Sequence, residues 1–211
     1  MADSERWDSF AKRLASLEPT PGGGAAAART AHHAAARVAK VARLSLRRSK
    51  SDELTGRLQS FEASACEGGE RFRDLEQADE DAFRAFLSTM RPADGQSDED
   101  FSRAKRAASV RAATVPLEIM ELAVHLLERV EELCDLAGQG LIRAESDVGV
   151  AAELLVGAYD SGVWTVRVNL PYLEHESDRA EIEVRWQAAE AKLRALHDEV
   201  RTALDRHMSG E

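Results

Sequence analysis

The alanine-dense segment at residues 25–48 constrains the fold more than any other part of the chain. Alanine is the strongest helix former, so the segment predicts a long helix. Small residues occupy nearly every face of that helix, and neighbouring helices can therefore approach its backbone closely. We expect this helix to lie at the centre of a bundle.

Apolar residues recur every three or four positions through most of the 211 residues, which is the pattern of amphipathic helices. Val163 to Leu170 is also β-prone, so helix and strand both remain open there. Residues 1–211 are therefore predicted to form a single all-α domain, a multi-helix bundle with long helices. The predicted helices are one that contains Trp7, Phe10, Leu14 and Leu17 and stops at Pro19, one at about 25–48, one at 52–90, one capped by Ser97 that ends near Gly138, one capped by Ser146 that runs to about Asn169, and one at 178–208.

The composition is that of a globular protein, with 44% hydrophobic and 31% charged residues. A formal net charge of -10 makes the chain a poor nucleic-acid binder, and no nucleic-acid partner is expected. The first seven residues lack the apolar core of a signal peptide, and no apolar run is long enough for a transmembrane helix. We expect a cytoplasmic protein without a membrane partner.

The potential metal ligands are scattered. Cys66 and Cys134 have neither CxxC nor Cys/His ligand spacing, which predicts two buried thiols in a reducing compartment. His32 and His33 are adjacent and leave a helix in different directions, so they do not chelate as an i, i+4 pair would. No metal site is predicted.

A proline- and glycine-rich turn, Pro19-Thr20-Pro21-Gly22-Gly23-Gly24, precedes the alanine-rich helix. The prolines end the preceding helix, and the glycines permit positive φ or close approach of a ligand or another backbone. The N–H groups that open the next helix suit an anion or a polar heterocycle. A ligand loop built from Pro21 to Gly24 and a tight interhelical turn are both compatible with this pattern.

An aspartate interrupts the apolar face predicted between Phe72 and Met90. On a helical wheel Asp79 lies near the centre of that face, whereas Asp81 points to the opposite side and Glu80 towards the flank. A carboxylate buried in this way has a raised pKa and can act as a general acid or base near neutral pH. The alternative is a structural aspartate paired with an arginine from another helix.

Two further polar sites are ambiguous. Ser146 and Asp147 are predicted to cap the helix that follows them, or else to contact a ligand directly. Asn169 lies at the end of that helix, just before Pro171, where its amide could close the helix or bind a ligand.

The order of these segments resembles the cyclodeaminase/cyclohydrolase family. The resemblance rests on PTPGGG and its alanine-rich helix, on D-x-x-A-F at Asp79 to Phe83, and on Val115-Pro116-Leu117. It continues with Ser146-Asp147-Val148-Gly149-Val150-Ala151-Ala152 and Val168-Asn169-Leu170. The resemblance covers residues 7–173, and no formiminotransferase-like segment accompanies it.

The resemblance implies an all-α homodimer that binds a tetrahydrofolate derivative in a helix-lined cleft, with no further cofactor. It implies that Asp79 is the main acid/base residue and that the glycine loop contacts the pterin or its one-carbon end. The basic residues Arg47, Arg48 and Lys50 become a candidate dock for the anionic folate tail, or else form a solvated helix end whose charges favour the C-terminal dipole.

Three positions depart from the family pattern, and each departure removes a polar group from the expected cleft. Ala25 replaces a serine, Leu141 follows Gly140 where the family has asparagine, and Thr165-Val166 replaces Asn-Val. Hydrolysis of methenyltetrahydrofolate is the expected reaction, with cyclodeamination of formiminotetrahydrofolate as the alternative. The departures motivate a third reading, a non-catalytic helical dimer that binds a folate or a protein.

Overall fold

The computed structural model describes residues 4–138 and 145–209, of which residues 4–8 and 138 are described by their backbone alone. The described residues form six α-helices and contain no β-strand, as the hydrophobic periodicity predicts. A single 3-10 turn, Leu170–Tyr172, joins the last two helices. The helices are α1 (Ser4–Leu14), α2 (Gly23–Leu46), α3 (Asp52–Ser88), α4 (Asp98–Gly138), α5 (Glu145–Asn169) and α6 (Glu176–Ser209).

The alanine-rich helix α2 occupies the middle of the bundle. It packs mainly against α3 and α5, and to a smaller extent against α4. Its inward alanines are almost completely buried, because a methyl side chain lets three neighbouring helices approach one axis. The long side chains of α3 and α4, such as Phe61, Phe72 and Leu127, fill the space around it in the main hydrophobic cluster.

The second half of the chain wraps around this centre. Helix α4 runs through Pro116 without ending and packs against α3, α5 and α6. Ser97 caps it as predicted, since the Ser97 hydroxyl accepts a hydrogen bond of 3.1 Å from the Asp100 N–H. The β-prone stretch at residues 163–170 is helical almost to its end. No helix among the described residues is both long and apolar enough to cross a membrane.

Three predictions at the level of single residues are wrong. Helix α1 ends at Leu14, and Leu17 is fully exposed beyond it, so the apolar stripe of α1 does not extend to Leu17. Cys66 is exposed, whereas Cys134 is buried as predicted. Ser146 is the second residue of α5 and is exposed, so it does not precede that helix as a cap does.

Candidate active site

A pocket of about 340 Å³ lies where the turn before α2 meets α3 and α5. Asp79 enters it from α3, and Gly22, Gly23 and Gly24 form one edge. The opposite wall belongs to the C-terminal half of α5. The remaining lining residues are Pro19, Thr20, Phe83, Ala112, Ser161, Trp164, Thr165, Val168 and Asn169.

Asp79 is the only ionisable side chain among the described residues that line this pocket, and it is 8% exposed. Its Oδ2 accepts a hydrogen bond of 2.9 Å from the Ala25 N–H in the first turn of α2. Burial away from water raises the Asp79 pKa to about 6, the Ala25 hydrogen bond opposes that rise, and the nearby Glu80 adds to it. Such a pKa lets one carboxyl group both accept and donate a proton near neutral pH.

The glycines that open α2 permit the carboxylate to approach this closely. A Cβ atom on Gly24 would lie 2.0 Å from Asp79 Oδ1, so no larger residue fits there without moving Asp79. A Cβ on Gly23 would lie 3.3 Å from Thr165 Oγ1 on the facing helix, whereas one on Gly22 would meet nothing within 4 Å. None of the three glycines has a positive φ, so the loop uses glycine for close approach rather than for left-handed backbone.

Polar and apolar residues alternate along the α5 wall. Ser161, Thr165 and Asn169 follow one another at intervals of four residues, with Trp164 and Val168 beside them. The Asn169 amide donates hydrogen bonds to the carbonyls of Ala112 (2.8 Å) and Thr165 (2.9 Å). Because both of its N–H groups serve protein carbonyls, this amide offers a ligand only its oxygen, which is an acceptor.

Glu80, which the helical wheel places towards the flank of α3, is also buried. It is 3% exposed and forms ion pairs with Arg13 of α1 and with Arg84 one turn further along α3. The two guanidinium groups compensate the burial of its charge. Asp79 has no such cation within the pocket, so the alternative of an aspartate paired with an arginine from another helix does not describe Asp79.

The other predicted site residues lie away from this pocket. Asp147 forms ion pairs with Arg37 and Lys40, and Arg37 is about 20 Å along α2 from Gly24 at 1.5 Å per residue. Arg47, Arg48 and Lys50 are exposed at the far end of α2, about 35 Å away by the same measure. Within one subunit, Asn169 therefore joins Asp79 and the glycines, whereas Ser146, Asp147 and the basic stretch do not.

Two of the three departures from the family pattern fall within the described structure. Ala25 is completely buried and contributes its backbone N–H to Asp79. Thr165 lines the pocket and its hydroxyl provides a polar group there, so the expectation that this departure removes a polar group is wrong. Leu141 lies outside the described residues. No group of three or more His, Cys, Asp or Glu side chains converges as a metal-ligand set anywhere in the described part of the chain.

Sequence reasoning missed most of the α5 wall, in particular Ser161 and Trp164. The i, i+4, i+8 spacing of Ser161, Thr165 and Asn169 is a signal for one polar helix face. That spacing alone does not identify which neighbouring helix the face meets. Thr20 and Phe83 were equally unassigned, although both lie within sequence motifs, Thr20 in PTPGGG and Phe83 in D-x-x-A-F.

The fold and the pocket together define an all-α protein with a buried carboxyl group of raised pKa in a pocket between its helices. The family described as formiminotransferase-cyclodeaminase matches residues 6–188. The chain therefore belongs to that family, as its sequence motifs predict.

Individual relatives agree with this assignment. The chain is 32% identical over 198 residues to the methenyltetrahydrofolate cyclohydrolase of Methylorubrum extorquens, covering 92% of this chain and 91% of that one. It is 28% identical over 191 residues to the formimidoyltransferase-cyclodeaminase of Sus scrofa, covering 89% of this chain but 35% of the porcine protein. The crystal structure of formiminotetrahydrofolate cyclodeaminase from Thermotoga maritima superimposes with a TM-score of 0.81 at 22% identity, covering 97% of this chain and 96% of that one, which supports the fold.

Proposed function

We propose that the protein hydrolyses methenyltetrahydrofolate to formyltetrahydrofolate, with Asp79 as the acid/base residue. The observation that carries the proposal is the buried Asp79 carboxyl, with a pKa near 6, in a pocket that has room for a small heterocycle. The similarity to the Methylorubrum cyclohydrolase spans nearly the full length of both chains, which favours this reaction over the alternatives.

The proposed reaction requires a proton to be moved twice. Water attacks the cationic bridge carbon while the Asp79 carboxylate takes one of its protons, and a neutral hydroxyl adduct forms. The bond from carbon to one nitrogen then breaks, and Asp79 returns its proton to that nitrogen. The adduct hydroxyl loses its proton to solvent as the formyl C=O forms. Positioned acid/base catalysis of this kind contributes about 10²–10⁴-fold.

Cyclodeamination of formiminotetrahydrofolate is the second candidate. The name of the porcine relative supports it, although the chain spans only 35% of that protein. In that reaction the same carboxyl would protonate a departing ammonia. The two reactions change the methenyl absorbance in opposite directions, because hydrolysis consumes the methenyl group and cyclodeamination produces it.

Replacement of Asp79 by asparagine tests the catalytic assignment. Asp79→Asn keeps the shape of the side chain but cannot carry the proton, so turnover of methenyltetrahydrofolate should fall at least about 10²-fold. The measurement is loss of near-ultraviolet absorbance with purified protein. Asp81→Asn is the matched control, because the Asp81 side chain is 62% exposed on the same helix. Near-normal turnover by Asp79→Asn would exclude Asp79 as the proton carrier.

Three results would separate the candidate reactions in the wild-type protein. Hydrolysis of the methenyl compound supports the proposal, and methenyl formation from formiminotetrahydrofolate supports the cyclodeaminase. Tight folate binding without either reaction would favour the non-catalytic dimer that the departures at Ala25 and Thr165 suggested.

A further inference from the structure

The charge of the pocket suggests which ligands it favours. Asp79 is the one ionisable group among the described lining residues, and no lysine, arginine or histidine accompanies it there. Arg29 pairs with Glu76 and Arg13 pairs with Glu80, and none of these four residues lines the cavity. A carboxylate without a cationic partner in the same cavity favours a positively charged ligand over a negatively charged one.

Trp164 is the most exposed aromatic residue among those whose side chains the structure describes, followed by Tyr172 at 45%. Its side chain is 70% exposed, whereas Phe61, Phe72 and Tyr159 are at most 1% exposed. It nevertheless lines the pocket, next to Thr165 and on the wall that faces the glycine turn. An exposed indole on the wall of a cavity is apolar surface that a bound ligand can cover.

Arg167 holds the indole from outside the pocket. Its guanidinium carbon lies 5.5 Å from the centroid of the Trp164 ring and 5.3 Å from that of Trp186 on α6. Arg167 is not among the lining residues, so the part of the indole that borders the cavity is left to a ligand.

The electron-rich face of an indole is the best aromatic partner for a cation in proteins. The methenyl bridge of the proposed substrate is an amidinium, with one positive charge delocalised over two nitrogens and a carbon. The formyl group of the product carries no charge. An indole face beside the one-carbon group would therefore interact more strongly with the substrate than with the product.

We propose that Trp164 is a specificity-determining residue, whose indole face binds the cationic one-carbon bridge so that the pocket prefers the methenyl substrate over the product with its uncharged formyl group. This proposal rests on the proposed function, because it concerns the same pocket and the same folate. It assigns Trp164 a role in selecting the charge of the ligand in addition to covering its apolar surface.

The test compares two folates in a series of variants at position 164. Methenyltetrahydrofolate has a cationic one-carbon bridge, whereas 5-formyltetrahydrofolate has an uncharged one-carbon group. Trp164→Leu should lower kcat/KM for methenyltetrahydrofolate about 5- to 30-fold, which is the range expected for loss of a desolvated cation–π contact. The inhibition constant of 5-formyltetrahydrofolate, whose one-carbon group is uncharged, should change less than about 3-fold. Trp164→Phe keeps a weaker π face, so its kcat/KM for methenyltetrahydrofolate should lie between those of Trp164→Leu and the wild type. Its inhibition constant for 5-formyltetrahydrofolate should remain near the wild-type value.

Val168→Ala is the matched control, because Val168 lines the pocket one turn further along α5 without an aromatic ring. This variant should lower kcat/KM for methenyltetrahydrofolate and raise the inhibition constant of 5-formyltetrahydrofolate by similar factors. Equal weakening of both ligands by Trp164→Leu would overturn the proposal and leave Trp164 as an apolar wall. A changed oligomeric state with unchanged discrimination would also overturn it, and would assign Trp164 to a subunit contact.

The wild-type protein separates failure of this proposal from failure of the proposed function. If it neither binds nor turns over either folate, the proposed function fails and this proposal fails with it. If it binds both but variants at position 164 do not discriminate, only the role of Trp164 is lost. Circular dichroism and melting temperature confirm that each variant is folded.

Discussion

The two adjacent carboxylates on α3 show how strongly local surroundings set the state of one residue. Glu80 is the more deeply buried, yet Arg13 and Arg84 both pair with it, so its charge is compensated. Asp79 has only a backbone N–H as partner, and its pKa rises to about 6 through burial. One position along a helix therefore separates a structural ion pair from a titratable group.

The raised pKa of Asp79 makes the stability of the protein depend on pH. Its folded-state pKa of about 6 lies above the ordinary value of 3.8, so the native protein holds this proton more tightly than the unfolded chain does. The stabilisation that comes from protonated Asp79 is fully present below about pH 4 and is lost as the pH rises through 6. The loss in the free energy of unfolding amounts to at most about 3 kcal/mol.

Asp79→Asn should therefore be more stable than wild type at pH 8, and the difference should diminish towards pH 4. Chemical denaturation at several pH values measures this, with Asp81→Asn as the exposed control. A difference in the free energy of unfolding that does not vary with pH would show that Asp79 does not titrate with a raised pKa.

At the scale of elements, the first turn of α2 depends on its three glycines to different degrees. Gly24→Ala would place a methyl group 2.0 Å from Asp79 Oδ1, so we expect displacement of the carboxyl and a loss of turnover of at least about 10²-fold. The methyl group added by Gly22→Ala would meet nothing within 4 Å, so this substitution should change the free energy of unfolding by less than about 0.5 kcal/mol.

Gly23→Ala should have an intermediate effect, because its methyl group would lie 3.3 Å from Thr165 Oγ1 and would narrow the pocket. Folate affinity should fall well beyond any change in melting temperature. Calorimetric binding of a folate analogue, compared across the three variants, checks this order. If Gly23→Ala binds the analogue as tightly as wild type, the glycines serve as a turn and not as part of the site.

The packing of α5 against α4 depends on another glycine, Gly162. A Cβ atom there would lie 2.6 Å from Met120 Cγ and 3.4 Å from the Pro116 carbonyl oxygen. Gly162→Ala should cost about 1–3 kcal/mol through overpacking. Gly157 lies on the same helix with open space around its Cα, so Gly157→Ala should stabilise the protein by about 0.4–1 kcal/mol.

Thermal or denaturant unfolding of the Gly157 and Gly162 variants measures this contrast. Equal stabilisation by the two substitutions would mean that α4 and α5 are not held at the short distance seen around Gly162. Because Asn169 bonds to the Ala112 carbonyl of α4, a shift between these helices would also move the α5 wall of the pocket.

For the whole molecule, we predict a homodimer. Several large apolar side chains are exposed on the described surface, including Val168 (63%), Tyr172 (45%) and Val184 (66%), and the resemblance to the family also implies a dimer. Light scattering at micromolar concentration should give about twice the chain mass of 23.1 kDa. A mass of one chain would contradict the prediction.

The all-α class, most helix positions and the burial of Asp79 were predictable from the sequence. Helical periodicity and breakers such as Pro19 act within a few residues, so a single segment carries them. Asp79 was identifiable because an acid among Phe72, Leu75 and Phe86 has no water to face. The need for glycine before α2 was visible too, although its reason, the contact between Gly24 and Asp79, was not.

The rest of the site follows from which helices meet, and that depends on contacts between residues far apart in the chain. Trp164 and Thr165 became part of the pocket because α5 packs beside α2, and Glu80 became buried because Arg13 reaches it from α1. Asp147 belongs to a motif that resembles the family, and Arg47 carries a charge that suits an anionic folate tail. Both nevertheless lie far along α2 from Asp79 within one subunit. A helical pattern specifies the face that a residue occupies, whereas the partner of that face is specified by packing across the whole bundle.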